Sequence, residues 1–124
     1  MNFEKTKKLV TKQSNNVNKK DLHKLIAKEE RLFSMLNGIL SSVSSDVKIM
    51  FNLAKDYYDG TYKNINWNNL SVIVFALIYL LMPIDVIPDF IPIFGYTDDI
   101  TVISVCLKMV SDELKEYKKW LEKD

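Results

Sequence analysis

Between residues 70 and 99 the chain passes from its most apolar stretch directly into its most angular one. Residues 70–84 are apolar but for Ser71 and the mild Tyr79, and residues 83–99 read Pro-Ile-Asp-Val-Ile-Pro-Asp-Phe-Ile-Pro-Ile-Phe-Gly-Tyr-Thr-Asp-Asp. All three prolines of the chain and four of its sixteen acids fall in this segment. Proline breaks a helix, and a charge is costly in apolar surroundings. The segment therefore has to be held in one bent shape, between an apolar helix before it and another helix after it.

The apolar run is too short for a simple membrane span. As a helix, residues 70–84 measure roughly 22 Å at about 1.5 Å per residue, against a hydrocarbon layer of about 30 Å. Extending the helix far enough takes in Asp85, Asp89 and the prolines, and each mid-membrane Asp costs about 2.5–3.5 kcal/mol. A buried core helix is the favoured reading, and the domain is expected to stay soluble without detergent. The competing reading is peripheral association, with a shallow hairpin dipping into one leaflet and Trp67 and Tyr79 near the interface.

Outside this region the pattern is helical. Leu22, Leu25, Ile26, Leu32, Phe33, Leu36, Ile39 and Leu40 recur at spacings of three and four behind Asp21, a candidate cap. Asn37-Gly38 and residues 41–45 loosen or end that helix. A second helix is expected from about Ser45, with Val47, Met50, Phe51, Ala54, Tyr57 and Tyr58, stopping at Asp59-Gly60. Asn66 is placed to cap a third, which Pro83 forces to exit. A fourth starts near Asp98 or Asp99, where acids suit the helix dipole. Its Ile100, Ile103, Leu107, Val110, Leu114, Tyr117 and Leu121 form a strict stripe spaced 3-4-3-4-3-4. Such a stripe packs on its own domain or, less commonly, makes a homo-oligomer seam through residues 100–121. The expected fold is all-α, with about four helices around a helix–bent Asp/Pro loop–helix unit.

Charge divides the chain. Residues 1–69 carry twelve Lys+Arg against seven Asp+Glu, and residues 70–124 carry five against nine. Phe3, Leu9, Val10 and Val17 read as too sparse to define a buried face. Residues 1–20 are accordingly expected to be a polar Lys/Asn-rich arm with at most a short helix, and residues 21–124 a single helical domain. On that reading, removing residues 1–18 leaves the fold intact. The arm's lysines are either solvated or make a polybasic contact with anionic lipid or nucleic acid. Cys106 is alone, which excludes a disulfide framework and a Cys-based metal site. The first residues lack an apolar signal region, so the expected location is the cytoplasm, with membrane association as the qualification.

Pro83-Ile84-Asp85-Val86-Ile87-Pro88-Asp89-Phe90-Ile91-Pro92, then Gly95, then Asp98-Asp99, resembles the signature of the YkvA-like family, a bacterial domain of unknown function. Tyr57-Tyr58-Asp59-Gly60-Thr61-Tyr62 and Ile65-Asn66-Trp67 are similar to the lead-in of its longer members. The resemblance covers about residues 50–120. It implies a small helical domain, often predicted to be membrane-associated, with no established activity.

Read from its own residues, the segment supports three roles. In the first, Asp85 and Asp89 close turns on Val86-Ile87-Pro88 and Phe90-Ile91-Pro92, and Asp98 or Asp99 caps the next helix. Pro83, Pro88, Pro92 and Gly95 then fix the loop's shape without any ligand. In the second, Asp85, Asp89, Asp98 and Asp99 converge on Mg²⁺ or Ca²⁺, although their spacing follows no calcium-loop pattern. In the third, the loop with Phe90, Phe94 and Tyr96 docks a partner protein or a membrane surface. Nothing singles out a catalytic residue. His23 is far along the chain from the motif and reads as a surface residue, and no nucleophile has a visible base. Nucleic-acid binding is not expected, because the arm's lysines lack interleaved aromatics and a reading helix. The reading is an interaction module that binds an unknown protein partner or a membrane surface and needs no cofactor. The alternative is a hard-cation protein built on the four aspartates.

Asp85→Asn and Asp89→Asn separate the first two roles. A capping carboxylate turned into an amide loses charge-assisted hydrogen bonding, at a cost of about 1–2 kcal/mol. A carboxylate in an empty metal site is instead repelled by its neighbours, so neutralising it is stabilising or neutral. Melting temperatures with EDTA and then with millimolar Mg²⁺ or Ca²⁺ are expected to fall in both variants, with no ion effect on the wild type. An ion-dependent rise in the wild type that both variants lose would establish the metal site instead.

Overall fold

The computed structural model describes residues 3–36, 44–81 and 99–123, and every regular element among them is an α-helix. In chain order these are α1 (Phe3–Ser14), α2 (Lys19–Ile26), α3 (Glu29–Leu36), α4 (Ser44–Tyr58), α5 (Trp67–Leu81), α6 (Asp99–Met109) and α7 (Ser111–Lys123). The all-α class is as the sequence indicates, in seven described helices rather than about four.

The extra helices come from local signals that apolar periodicity overruns. Behind Leu25 the chain takes a tight turn in which the Lys28 N–H reaches the Leu25 carbonyl at 3.0 Å, and α3 then opens on Glu29-Glu30. Acids at the positive end of the new helix favour a restart there. The long stripe of residues 100–121 is divided in the same way at Val110, followed by Ser111-Asp112-Glu113. That break is slight: the Val110 N–H reaches the Cys106 carbonyl at 3.1 Å and the Leu114 N–H reaches Val110 at 3.0 Å. Ile103, Val110, Leu114 and Tyr117 of the stripe are buried within the chain, while Leu121 stands exposed.

α5 is the centre. All twelve residues from Leu70 to Leu81 are buried. A helix apolar on every side must be surrounded, and α1, α2, α4 and α6 all pack against it. The Ser71 hydroxyl, the polar exception, donates to the Trp67 carbonyl at 2.8 Å. Asn66 caps α5 as its sequence position indicates, its Oδ1 accepting from the Asn69 N–H at 2.9 Å. For α2 the cap is Asn18 rather than Asp21. Asn18 is extended and accepts from the Asp21 N–H, and the Asp21 carboxylate accepts from the Asn18 N–H. This reciprocal capping box starts the helix ahead of Asp21.

The reading of residues 1–20 as lacking a buried face does not hold. α1 runs through twelve residues and packs on both α5 and α6. Thr6, Val10 and Ser14 form its buried stripe, and Val17 is buried just beyond it. Two of the three stripe positions are hydroxyl residues, which an apolar count passes over. Residues four apart share one face of a helix, so the three side chains form a single buried stripe. The Phe3 ring at its start is half-buried, with the Lys108 ammonium of α6 at 4.8 Å from its centroid and that of Lys7 at 6.0 Å.

The corner between α4 and α5 is closed by the backbone. Gly60 has φ of 81°, the Gly60 N–H reaches the Tyr57 carbonyl at 3.0 Å, and the Thr61 N–H reaches Asp56 at 2.8 Å. This is the paired ending of a helix that turns through a left-handed residue. A Cβ at Gly60 would meet no atom within 4 Å, so only backbone conformation keeps other residues out.

Three changes test this architecture by urea unfolding, the first two on α1 and the third on the corner. Deleting residues 1–18 is expected to cost more than about 2 kcal/mol, beyond the range of surface changes. Val10→Ala is expected to cost about 1.5 kcal/mol for the lost buried methyl carbons. An unchanged midpoint in both would return α1 to the status of a loose arm. Gly60→Ala is expected to cost about 1–2 kcal/mol from the left-handed conformation alone, and unchanged stability would show that the corner relaxes freely.

Candidate functional site

Most of the residues singled out in the Asp/Pro segment lie outside the described residues: Asp85, Asp89, Asp98, Pro83, Pro88, Pro92 and Gly95. Asp99 opens α6, and its backbone alone is described. What the structure places is the frame. α5 delivers the chain to Leu81, α6 receives it at Asp99, and the two helices pack on each other. Val102, Ile103 and Cys106 of α6 are fully buried. The segment thus starts and ends on two helices joined through the core. Among the described residues, no group of three or more His, Cys, Asp or Glu side chains could hold a metal ion.

A polar and aromatic cluster that the sequence reading did not assemble lies at the α4–α5 corner. Tyr62 follows Gly60 and folds inward to 2 % exposure. Its ring meets those of Tyr117 and Trp120 of α7 edge-on, each at 5.0 Å, and those two rings stack on each other at 5.8 Å. Edge-on and offset ring pairs are favourable through their quadrupoles. The Tyr117 hydroxyl donates to the Asp56 carboxylate of α4, and the Asn69 amide of α5 donates to Glu113 of α7 at 2.8 Å. The corner therefore ties α4, α5 and α7 together. The signal for it was present in Asp59-Gly60 and the nearby tyrosines, but their partners sit about fifty residues further along the chain.

The protonation chemistry of the corner is structural. Burial first, then the hydrogen bond and charge of Asp56, push the Tyr117 phenol well above its ordinary pKa. It stays protonated and donates. Burial likewise raises Tyr62, helped by Glu113 and Glu116. Its buried hydroxyl has no partner of good hydrogen-bond geometry among the described residues, although Asn64 lies near enough to pull slightly the other way. Burial pushes the Cys106 thiol up to about 12, and a thiol so held supplies little thiolate near neutrality.

His23 is on the surface, as expected, and its Nδ1 is hydrogen-bonded to the Tyr58 hydroxyl. The contact joins α2 to the end of α4. Nearby, the Lys55 ammonium donates to Glu29 at 2.9 Å, linking α4 to α3, and this bond and charge raise the Lys55 pKa.

Comparison with known proteins places the Asp/Pro segment at the centre of the likeness. A family model described as "Protein of unknown function (DUF1232)" matches residues 69–105, from the start of α5 through the segment and into α6. The chain is 31 % identical over 74 residues to "Uncharacterized membrane protein YkvA" of Bacillus subtilis (strain 168), covering 60 % of this chain and 70 % of that protein. No solved structure matches. With a relative of this identity and coverage, and a family match centred on the same helix–segment–helix unit, the chain belongs to the YkvA-like family of proteins of unknown function.

Proposed function

We propose that the chain is a non-enzymatic interaction module that works at the inner face of a membrane, held there by surface charge rather than by insertion. The observation that carries this is the exposed lysine surface of the first two helices. Lys5, Lys7, Lys8 and Lys12 of α1 and Lys19, Lys20 and Lys24 of α2 are all exposed. A lysine near an anionic bilayer contributes about 1 kcal/mol, so several together give reversible, salt-sensitive attachment. α1 and α2 pack on the core, so these lysines are carried on a folded surface. The apolar helix α5 is used up in the core, and among the described residues no helix is long and apolar enough to cross a membrane. The Bacillus subtilis relative is named a membrane protein, which agrees with membrane contact without requiring a span in this chain.

Fractionation and vesicle binding test the proposal. The protein is expected to sediment with phosphatidylglycerol vesicles at low salt and to come off in high salt or carbonate without detergent. Lys8→Gln, Lys12→Gln, Lys20→Gln and Lys24→Gln together should abolish sedimentation while leaving the melting temperature close to wild type. A requirement for detergent, or sedimentation that survives all four substitutions, would overturn it.

A further inference from the structure

We propose that the groove between the start of α4 and the α6–α7 junction is a binding site for a phosphate group. The groove has a volume of about 290 Å³, close to the lower end of small-ligand sites. One wall is a single stripe of the nearly continuous α6–α7 rod: Lys108, Ser111, Lys115 and Lys118, spaced 3-4-3. Leu107 and Leu114 run beside it as an apolar floor, and Asp46 of the first turn of α4 faces them. Three ammonium groups therefore line the groove with one carboxylate.

No core requirement calls for this charge. Among the described residues, none of the three lysines has a carboxylate within ion-pair distance, whereas Lys119, one step off the stripe, reaches Glu116 at 3.8 Å. Lys108 is held instead over the Phe3 ring of α1, with Lys7 on the same ring. Cations gathered in this way repel one another, and a multivalent anion relieves that repulsion. Lysines meet a phosphate as separate point charges placed around it. A tetrahedral phosphate offers oxygens to the Lys115 and Lys118 ammonium groups and the Ser111 hydroxyl, with Lys108 adding its charge from over the Phe3 ring. The leucine floor accommodates the carbon side of a phosphate ester, and Asp46 can accept from a hydroxyl on it. The N-terminus of α7 is not the source of the attraction: Asp112 and Glu113 already occupy its first turn.

The phosphate can belong to a lipid headgroup or to a soluble phosphate, and the experiment distinguishes them. The full chain, labelled with nitrogen-15, is titrated with inorganic phosphate and with chloride at matched ionic strength. Saturable shifts of the Ser111 and Lys115 amides are expected with phosphate alone. Lys115→Gln with Lys118→Gln should weaken phosphate binding about tenfold or more, the scale of lost charge-assisted bonds. Lys119→Gln with Lys123→Gln removes the same charge outside the groove and should change it by less than about twofold. If phosphatidylglycerol vesicles compete with inorganic phosphate for these shifts, the lipid headgroup is the source; if they do not, the source is soluble. The four-lysine variant of α1 and α2 should bind inorganic phosphate normally, so failure of the membrane proposal would leave this one standing. No saturable phosphate shift, or equal weakening in the two double variants, would overturn the site.

Discussion

The burial of α5 is the constraint on which the rest of the structure depends. Residues 70–81 carry apolar side chains around the whole circumference of a helix, so no orientation on a surface satisfies them. One partner helix covers one face only. The fold answers with four: α1, α2, α4 and α6. Each brings a narrower stripe, such as Val10 on α1, Leu22 and Leu25 on α2, Met50 and Leu53 on α4, and Ile103 and Cys106 on α6. This arrangement explains how a run with the hydropathy of a membrane segment is accommodated in a chain whose mean hydropathy is near zero. Among the described residues, only Tyr58 and Leu121 are large hydrophobics left exposed.

How much of this was legible depended on how local the determining interaction is. The end of α4 at Asp59-Gly60 and the cap at Asn66 could be read directly, because each uses neighbours within a few residues. The all-helical class followed from the same periodicities. The packing of α1 was missed because its buried stripe is Thr6, Val10 and Ser14, whose role exists only against a close neighbour. The restart at Glu29 was missed because the apolar stripe runs across it, and backbone turns override periodicity. The Tyr62–Tyr117–Trp120 cluster was not legible at all, since it joins a corner to a helix far along the chain. Of the Asp/Pro segment, the family likeness was readable from the motif, and the structure adds the frame of α5 and α6 on which it starts and ends.

The division of charge takes on a different meaning once the helices are placed. The lysines of the first twenty residues do not trail from the protein but ride on helices that seal the core. Val10 faces inward from the same helix on which Lys8 and Lys12 face outward. Stability and surface charge are thus separable along α1 by position within each turn. The lysine-bearing surface and the packing that carries it occupy different faces of one element.

The family match sharpens that separation. Residues 69–105 contain four acids and no lysine or arginine, and they hold α5, the Asp/Pro segment and the beginning of α6. The helices that cover α5 from the other sides, α1, α2 and α4, lie outside the match, as do Lys108, Ser111, Lys115 and Lys118 of the groove. Among the described residues of the matched unit, α6 alone packs on α5, and α1, α2 and α4 cover it from elsewhere in the chain. In this chain the further cover comes from amphipathic helices outside the match, and packing does not dictate the residues on their outward faces. In this chain they are lysine-rich. The shared unit therefore sets what must be buried, and the added helices set what the molecule presents to its surroundings.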